Sequence, residues 1–187
     1  MRQREMFRPN KIPDAYQPVS YIQATAYPSY IDTNYTPNQD TRVCVTAELI
    51  KNTQHSVIYG TEKPRFTLLK SRADYADTMG NSFTAMTTGR KYRFDQNKNI
   101  MRVESGKYSI TDYKEFTCSK SLYLFALHGY MQDSVQFIGR IYTCKIYENN
   151  VLQRNYVPCF RKEDTVVGMY DLVESKFYPG NGTFIYG

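Results

Sequence analysis

The chain has 187 residues, 41% of them apolar, with 18 Tyr and 10 Phe but no Trp, and a formal charge of +6. That length suits one domain with a sizeable core. No stretch approaches the ~20 apolar residues of a membrane span, which excludes membrane insertion by a helix, and no helix-turn-helix, zinc-finger or RNP-like signature supports nucleic acid as a partner.

Residues 1–11 differ in character from the rest of the chain. They hold Arg2, Arg4, Arg8 and Lys11 against Glu5, so half of the net charge sits in a basic segment ending before Pro13. Its two readings are a frayed terminus and a docking arm that orders on a partner, anchored by Met6 and Phe7. The segment has no apolar core of an export signal, so synthesis in the cytoplasm without a leader is expected. A single domain is expected over 12–187.

Within that domain, Gly and Pro punctuate the chain and strand periodicity dominates. In Thr41–Leu49, Val43, Val45, Ala47 and Leu49 share one face while Arg42, Thr46 and Glu48 share the other, as in a half-buried strand. Lys91–Asp95 and Met101–Glu104 are shorter candidates, and the basic residues of 90–102 are expected to face solvent. A short helical turn is allowed in 111–120. Leu122–Leu127 is an apolar run expected to be a central strand buried on both faces. Phe137–Glu148 reads as a long strand, Glu148-Asn149-Asn150 as a turn, and Val151–Val157 as the next strand. Pro179-Gly180-Asn181-Gly182, between Lys176–Tyr178 and Thr183–Tyr186, predicts a hairpin. Short strands separated by turns throughout predict an all-β sandwich or barrel.

Little in the sequence points to catalysis or metal binding. Cys44, Cys118, Cys144 and Cys159 form no CxxC pair, and with only His55 and His128 no zinc framework is available. Most of the thiols are expected to be buried, and a Cys144–Cys159 disulfide would require neighbouring strands. Calcium would have to come from scattered carboxylates such as Asp74 and Asp77, with no EF-hand-like loop to support it. No nucleophile-elbow motif accompanies either histidine.

A series of motifs runs in order along the chain, with Tyr21-Ile22-Gln23-Ala24-Thr25, Tyr30-Ile31-Asp32-Thr33, Pro37-Asn38 and Thr41-Arg42-Val43 at the start. Ser121–Ala126, Arg140–Tyr147, Val157-Pro158-Cys159, Val167–Val173, Lys176-Phe177-Tyr178 and Gly182-Thr183-Phe184 follow to the end. Together they resemble a concanavalin A-like (laminin-G-like) jelly-roll family found in bacteriophage tail, fibre and virion surface proteins and in gut-bacterial surface proteins. This resemblance covers roughly 12–187, and the middle, about 53–118, departs most from the pattern. The resemblance implies a sandwich of two antiparallel sheets. The glucan-hydrolysing relatives use an E-x-D-x-x-E strand, which is missing here, so a non-enzymatic domain without cofactor is expected.

Two functions are then expected. In the first, the domain is a multicopy virion-surface module that binds host or environmental glycans, docked to capsid, tail or fibre proteins by its N-terminal arm. In the second, it is a structural or decoration protein of the virion acting through protein contacts alone. Sugar recognition needs aromatic faces beside fixed polar groups. Two segments have that mixture: Ser71–Ser82, with Asp74, Tyr75 and Asn81, and His128–Gln136, with His128, Tyr130 and Asp133. Tyr27, beside Pro28, is a further platform.

Overall fold

Alternation along the strands sets the layers. In the computed structural model, which describes residues 11–187, Val43, Val45, Ala47 and Leu49 are buried while Arg42, Cys44 and Thr46 on the opposite face keep contact with solvent. Arg2, Arg4, Met6, Phe7 and Arg8 of the expected arm lie outside the described residues, and Lys11 is exposed. In chain order the strands begin β1 (Tyr16–Pro18), β2 (Ile22–Ala24), β3 (Ile31–Asp32), β4 (Thr41–Lys51), β5 (Val57–Thr61) and β6 (Phe66–Leu69). They continue with β7 (Ala73–Tyr75), β8 (Thr78–Met79), β9 (Lys91–Asn97), β10 (Ile100–Val103), β11 (Gly106–Ser109) and β12 (Tyr123–Leu124). The last six are β13 (Leu127–His128), β14 (Ile138–Glu148), β15 (Val151–Arg161), β16 (Val167–Asp171), β17 (Lys176–Pro179) and β18 (Phe184–Tyr186).

These strands form two sheets packed as a sandwich. The larger runs β11-β10-β9-β4-β14-β15-β16-β17, with β1 added on β15 and the β2–β18 pair added on β14. The smaller runs β3-β12-β5-β6-β7-β8, with β13 beside β5. Pairing is antiparallel except between β13 and β5. Ile22, Phe94, Met101, Ile141 and Ile146 from the large sheet meet Tyr59, Phe66, Leu68, Tyr75 and Leu124 from the small one in a single core. Removing this apolar surface from water is the main force holding the layers together.

A buried polar contact crosses that core. Gln96 of β9 is fully buried. Its Oε1 accepts from the Tyr59 hydroxyl of β5 at 2.8 Å, and its Nε2 donates to the Asp74 carbonyl of β7 at 3.1 Å. One carboxamide thus ties the large sheet to two strands of the small one. A second buried amide, Gln136, accepts from the Ser29 N–H at 3.0 Å and donates to the Ser29 and Phe125 carbonyls, both at 2.9 Å. It fastens the segment after β13 to the Tyr27–Pro28 cis turn.

Two local expectations are corrected, and two possibilities that the sequence left open are decided. The run Leu122–Leu127 is not one strand: Phe125 takes φ +69, splitting it into β12 and β13, which run in opposite directions beside β5. The expected C-terminal hairpin does not form, because β17 pairs with β16 while β18 pairs with β2. Gly182, at φ +102 and packed against the Pro28 carbonyl where a Cβ would clash, turns the chain away. Residues 111–120 contain no helix, and the helical turn found is a 3₁₀ segment at Asp133–Val135. Cys144 and Cys159 do lie on neighbouring strands, but the register sets Tyr156 opposite Cys144, and both thiols are free.

This packing leads to two expected outcomes. Gln96→Leu strips partners from two groups in a dry interior, and at ~1–3 kcal/mol for each unsatisfied group a loss of about 3 kcal/mol is expected in urea unfolding. A loss below about 1 kcal/mol would show that the cross-core bonds contribute little. Burial, with the Asp95 carboxylate next to it, raises the half-buried Cys44 thiol from 9.0 to about 11. Its alkylation by iodoacetamide is therefore expected to keep accelerating between pH 9.0 and about 11. A plateau near the ordinary thiol value would contradict that environment.

Candidate functional site

The outward face of the small sheet carries an apolar patch separate from the main core. Strand alternation turns Phe66 and Leu68 of β6 inward and leaves Thr67 and Leu69 outward. Leu69, Val57, Leu127 and Val135 then pack together as a second buried cluster. These residues floor an open hollow of about 210 Å³, rimmed by His55, Arg65, Arg72, Asp74 and Tyr130.

The polar side of the hollow is a fixed ion cluster. Asp74 points outward between two inward neighbours, Ala73 and Tyr75, yet is only 1% exposed because its partners cover it. Its carboxylate accepts from Arg72 Nε at 3.1 Å and from the Thr67 hydroxyl at 3.0 Å, with Arg65 Nη1 at 3.9 Å. Arg65 also pairs with Glu62 at 3.3 Å. About a third of each arginine side chain stays exposed, 37% for Arg65 and 29% for Arg72. Their remaining N–H groups are planar donors, Arg72 held by Asp74 and Arg65 by Glu62 with Asp74 nearby. On the opposite rim the Tyr130 ring is 45% exposed, and His55 is exposed with its N–H bound to the Ser134 carbonyl.

A second, more open hollow of about 640 Å³ lies on the other side of the 129–136 segment, lined by Tyr27, Asp133, Lys51, Asn52 and Gln54 among others. The Tyr27 hydroxyl donates to the Met131 carbonyl at 3.2 Å, fixing the ring against that segment. Residues 51–57 and 127–138 thus contribute to both hollows.

The sequence-derived residues divide accordingly. Asp74 and Tyr130 come together in the first hollow, and Tyr27 and Asp133 in the second. Tyr75 is a correction: it is fully buried in the core, donates to the Gln39 and Lys114 carbonyls, and burial pushes its phenol up to about 12. Its place between Asp74 and Ala76 put it in a polar-looking stretch, but period-2 alternation turns it inward. His128 faces neither hollow. Its ring stacks on Tyr123 at 3.8 Å between centroids, Tyr123 stacks on Tyr30 at 4.5 Å, and Nδ1 lies 2.9 Å from the Ser121 carbonyl. Asn81 is exposed beyond β8 and lines neither hollow.

His55, Arg65 and the apolar floor were missed from sequence. Alternation in Phe66–Leu69 could have placed Thr67 and Leu69 outward, but nothing local marks Arg65 as a neighbour of Asp74. The carboxylates considered for calcium are otherwise engaged: Asp74 with Arg72 and Thr67, and Asp77 accepting from the Arg65 backbone N–H at 2.6 Å. Among the described residues, no three His, Cys, Asp or Glu side chains are grouped to hold a metal ion. Asp171 is buried and caps its turn, accepting from the Asn155 and Val173 N–H groups.

No protein-family model matches the chain, and no curated protein does. Among solved structures, the fold is similar to that of a candidate carbohydrate-binding protein from Bacteroides ovatus, with a TM-score of 0.64 at 12% identity. The match covers 91% of this chain and 60% of that one, so this chain spans less than two thirds of its structural neighbour. At that identity the likeness is one of fold: a sandwich of two β-sheets.

Proposed function

We propose that this domain is a non-catalytic, concanavalin A-like glycan-binding module whose sugar site is the hollow on the outer face of the small sheet. The observation that carries the reading is the pairing of an apolar floor and an exposed Tyr130 ring with two arginines, Arg72 fixed by Asp74 and Arg65 by Glu62. A pyranose has an apolar C–H face and a polar rim, and such a site offers a partner to each. At about 210 Å³ the hollow is smaller than the ~300–1,000 Å³ of pockets for drug-sized ligands, a size suited to one terminal sugar ring. In this reading Asp74 is a positioning residue, Arg65, Arg72 and His55 supply hydrogen bonds, and Tyr130 supplies the stacking face. The name of the Bacteroides ovatus neighbour agrees with the ligand class.

The sequence motifs extend the proposal to a setting. The domain is a virion-surface component of a bacteriophage, present in several copies and docked to capsid, tail or fibre proteins through residues 1–11. Single-ring sites bind weakly, and multiple copies convert that into useful avidity.

The test is a glycan-array screen of the full chain presented multivalently, beside Tyr130→Ala and Arg72→Gln. Selective binding that falls about tenfold or more in either variant is expected, the size of a lost stacking or charged contact. Selective binding unchanged in both would move the site elsewhere. Absence of binding by a folded, multivalent sample would overturn the glycan reading and leave the virion decoration role.

A further inference from the structure

We propose a second binding surface: the outward face of the large sheet takes a linear polyanionic polysaccharide, bearing carboxylate or sulfate groups, laid across the strands. This surface is built from strands remote from the hollow, and it does not depend on that reading.

The register lines up a row of side chains on five adjacent strands. Lys107 of β11 pairs with Arg102 of β10, Arg102 with Asp95 of β9, Asp95 with Cys44 of β4, and Cys44 with Lys145 of β14. Directly paired residues point to the same side of a sheet, so all five face outward together. A neighbouring row runs from Arg93 through Thr46 to Thr143. Cys44, Thr46, Arg93, Asp95, Arg102, Glu104, Thr143 and Lys145 line one shallow hollow there. Strands ~4.8 Å apart set Arg102 and Lys145 about 14 Å from one another, and Lys107 about 19 Å from Lys145.

Charge on this face is lopsided. Arg42, Lys91, Arg93, Arg102, Lys107, Arg140 and Lys145 stand against Glu48, Asp95 and Glu104, a net of +4, whereas residues 12–187 together carry +3. The rest of the domain is therefore close to neutral. The acidic groups are also largely spent. Asp95 is clamped by Arg42 through two bonds of 2.8 Å, and Glu48 accepts from Tyr142 and Arg140. Arg93, Arg102, Lys107 and Lys145 are exposed, and none makes an ion pair with a described residue. Four cations at strand spacing, unpaired among the described residues, complement a chain with regularly repeated anionic groups.

The aromatic rings here argue for a polysaccharide over a nucleic acid. Single-stranded nucleic acid needs open ring faces on which bases stack. Beside this row the rings are capped by the protein's own cations: Lys91 Nζ lies 3.7 Å from the Tyr142 centroid, Arg140 lies over Tyr21 at 4.4 Å, and Arg42 over Tyr147 at 5.4 Å. What remains exposed is charge and hydroxyl, including Thr143, which donates to Thr46 at 3.1 Å.

The experiment measures binding of the full chain to immobilised polygalacturonate and dextran sulfate, with dextran as the neutral reference and single-stranded oligothymidylate as the nucleic-acid probe. Both acidic polysaccharides are expected to bind, with affinity falling steeply as salt rises, and dextran is not. The triple variant Arg93→Gln, Arg102→Gln, Lys145→Gln is expected to weaken this binding about tenfold or more, since each lost cation removes an ionic contact. An equal charge change elsewhere, Lys11→Gln, Lys162→Gln, Lys176→Gln, and Tyr130→Ala in the hollow, are expected to leave it intact. Equal losses in the two triple variants would overturn the assignment, as would oligothymidylate binding as tightly as polygalacturonate. Acetylation footprinting of the unmutated chain gives an answer that needs no variant to fold. Polygalacturonate should protect Lys107 and Lys145 but spare Lys162 and Lys176, and uniform protection would count against the surface.

Discussion

The Gln96 carboxamide is where core and surface meet. It lies on the large sheet, bonds the Tyr59 hydroxyl on one strand of the small sheet, and holds the Asp74 carbonyl on another. In a dry interior neither partner has water to fall back on, so the amide fixes the spacing of the layers at that point. Asp74 is thereby held from both sides. Its backbone is tied inward to Gln96, and its carboxylate is tied outward to Thr67 and Arg72. Arg72 is therefore aimed by a residue that the core itself has locked, while Arg65 is held by Glu62.

The two faces of the sandwich differ in chemistry for reasons visible in their strands. The small sheet has short strands with apolar residues on both sides, so Val57, Leu69 and Leu127 face outward and Val135 of the 3₁₀ turn packs with them. In the large sheet β4, β9 and β14 set apolar residues inward and mostly polar or charged ones outward, with bulges interrupting β14, so the outer face of these strands is polar and basic. A single ring suits the first surface and an extended charged chain the second.

Much of the architecture was legible in the sequence where periodicity was unbroken. The inward set of β4, the long strand β14 and the turn at Asn149-Asn150 all come from it. Legibility failed where a single backbone angle or a remote partner decided the outcome. Phe125 at a positive φ divides an apolar run that reads as one strand. The Pro-Gly-Asn-Gly turn joins strands of different neighbours, because Asn181 bridges to Tyr30 and β18 continues onto β2. Of the residues that composition singled out, Asp74 and Tyr130 line one hollow and Tyr27 and Asp133 another, a division that composition could not foresee. It misplaced Tyr75, whose side of the strand is set by the alternation of β7. Arg65 and His55 enter the hollow only through three-dimensional proximity.

The central claim is that the hollow on the small sheet is the sugar site, and its floor offers a direct reporter. Methyl-labelled protein can be titrated with the glycan selected on the array while the Val57, Leu69, Leu127 and Val135 resonances are followed by NMR. The account expects these four to shift together and saturably, with the core methyls of Val45, Leu68 and Ile146 unmoved. Saturable binding that shifts methyl groups elsewhere and leaves these four in place would contradict it.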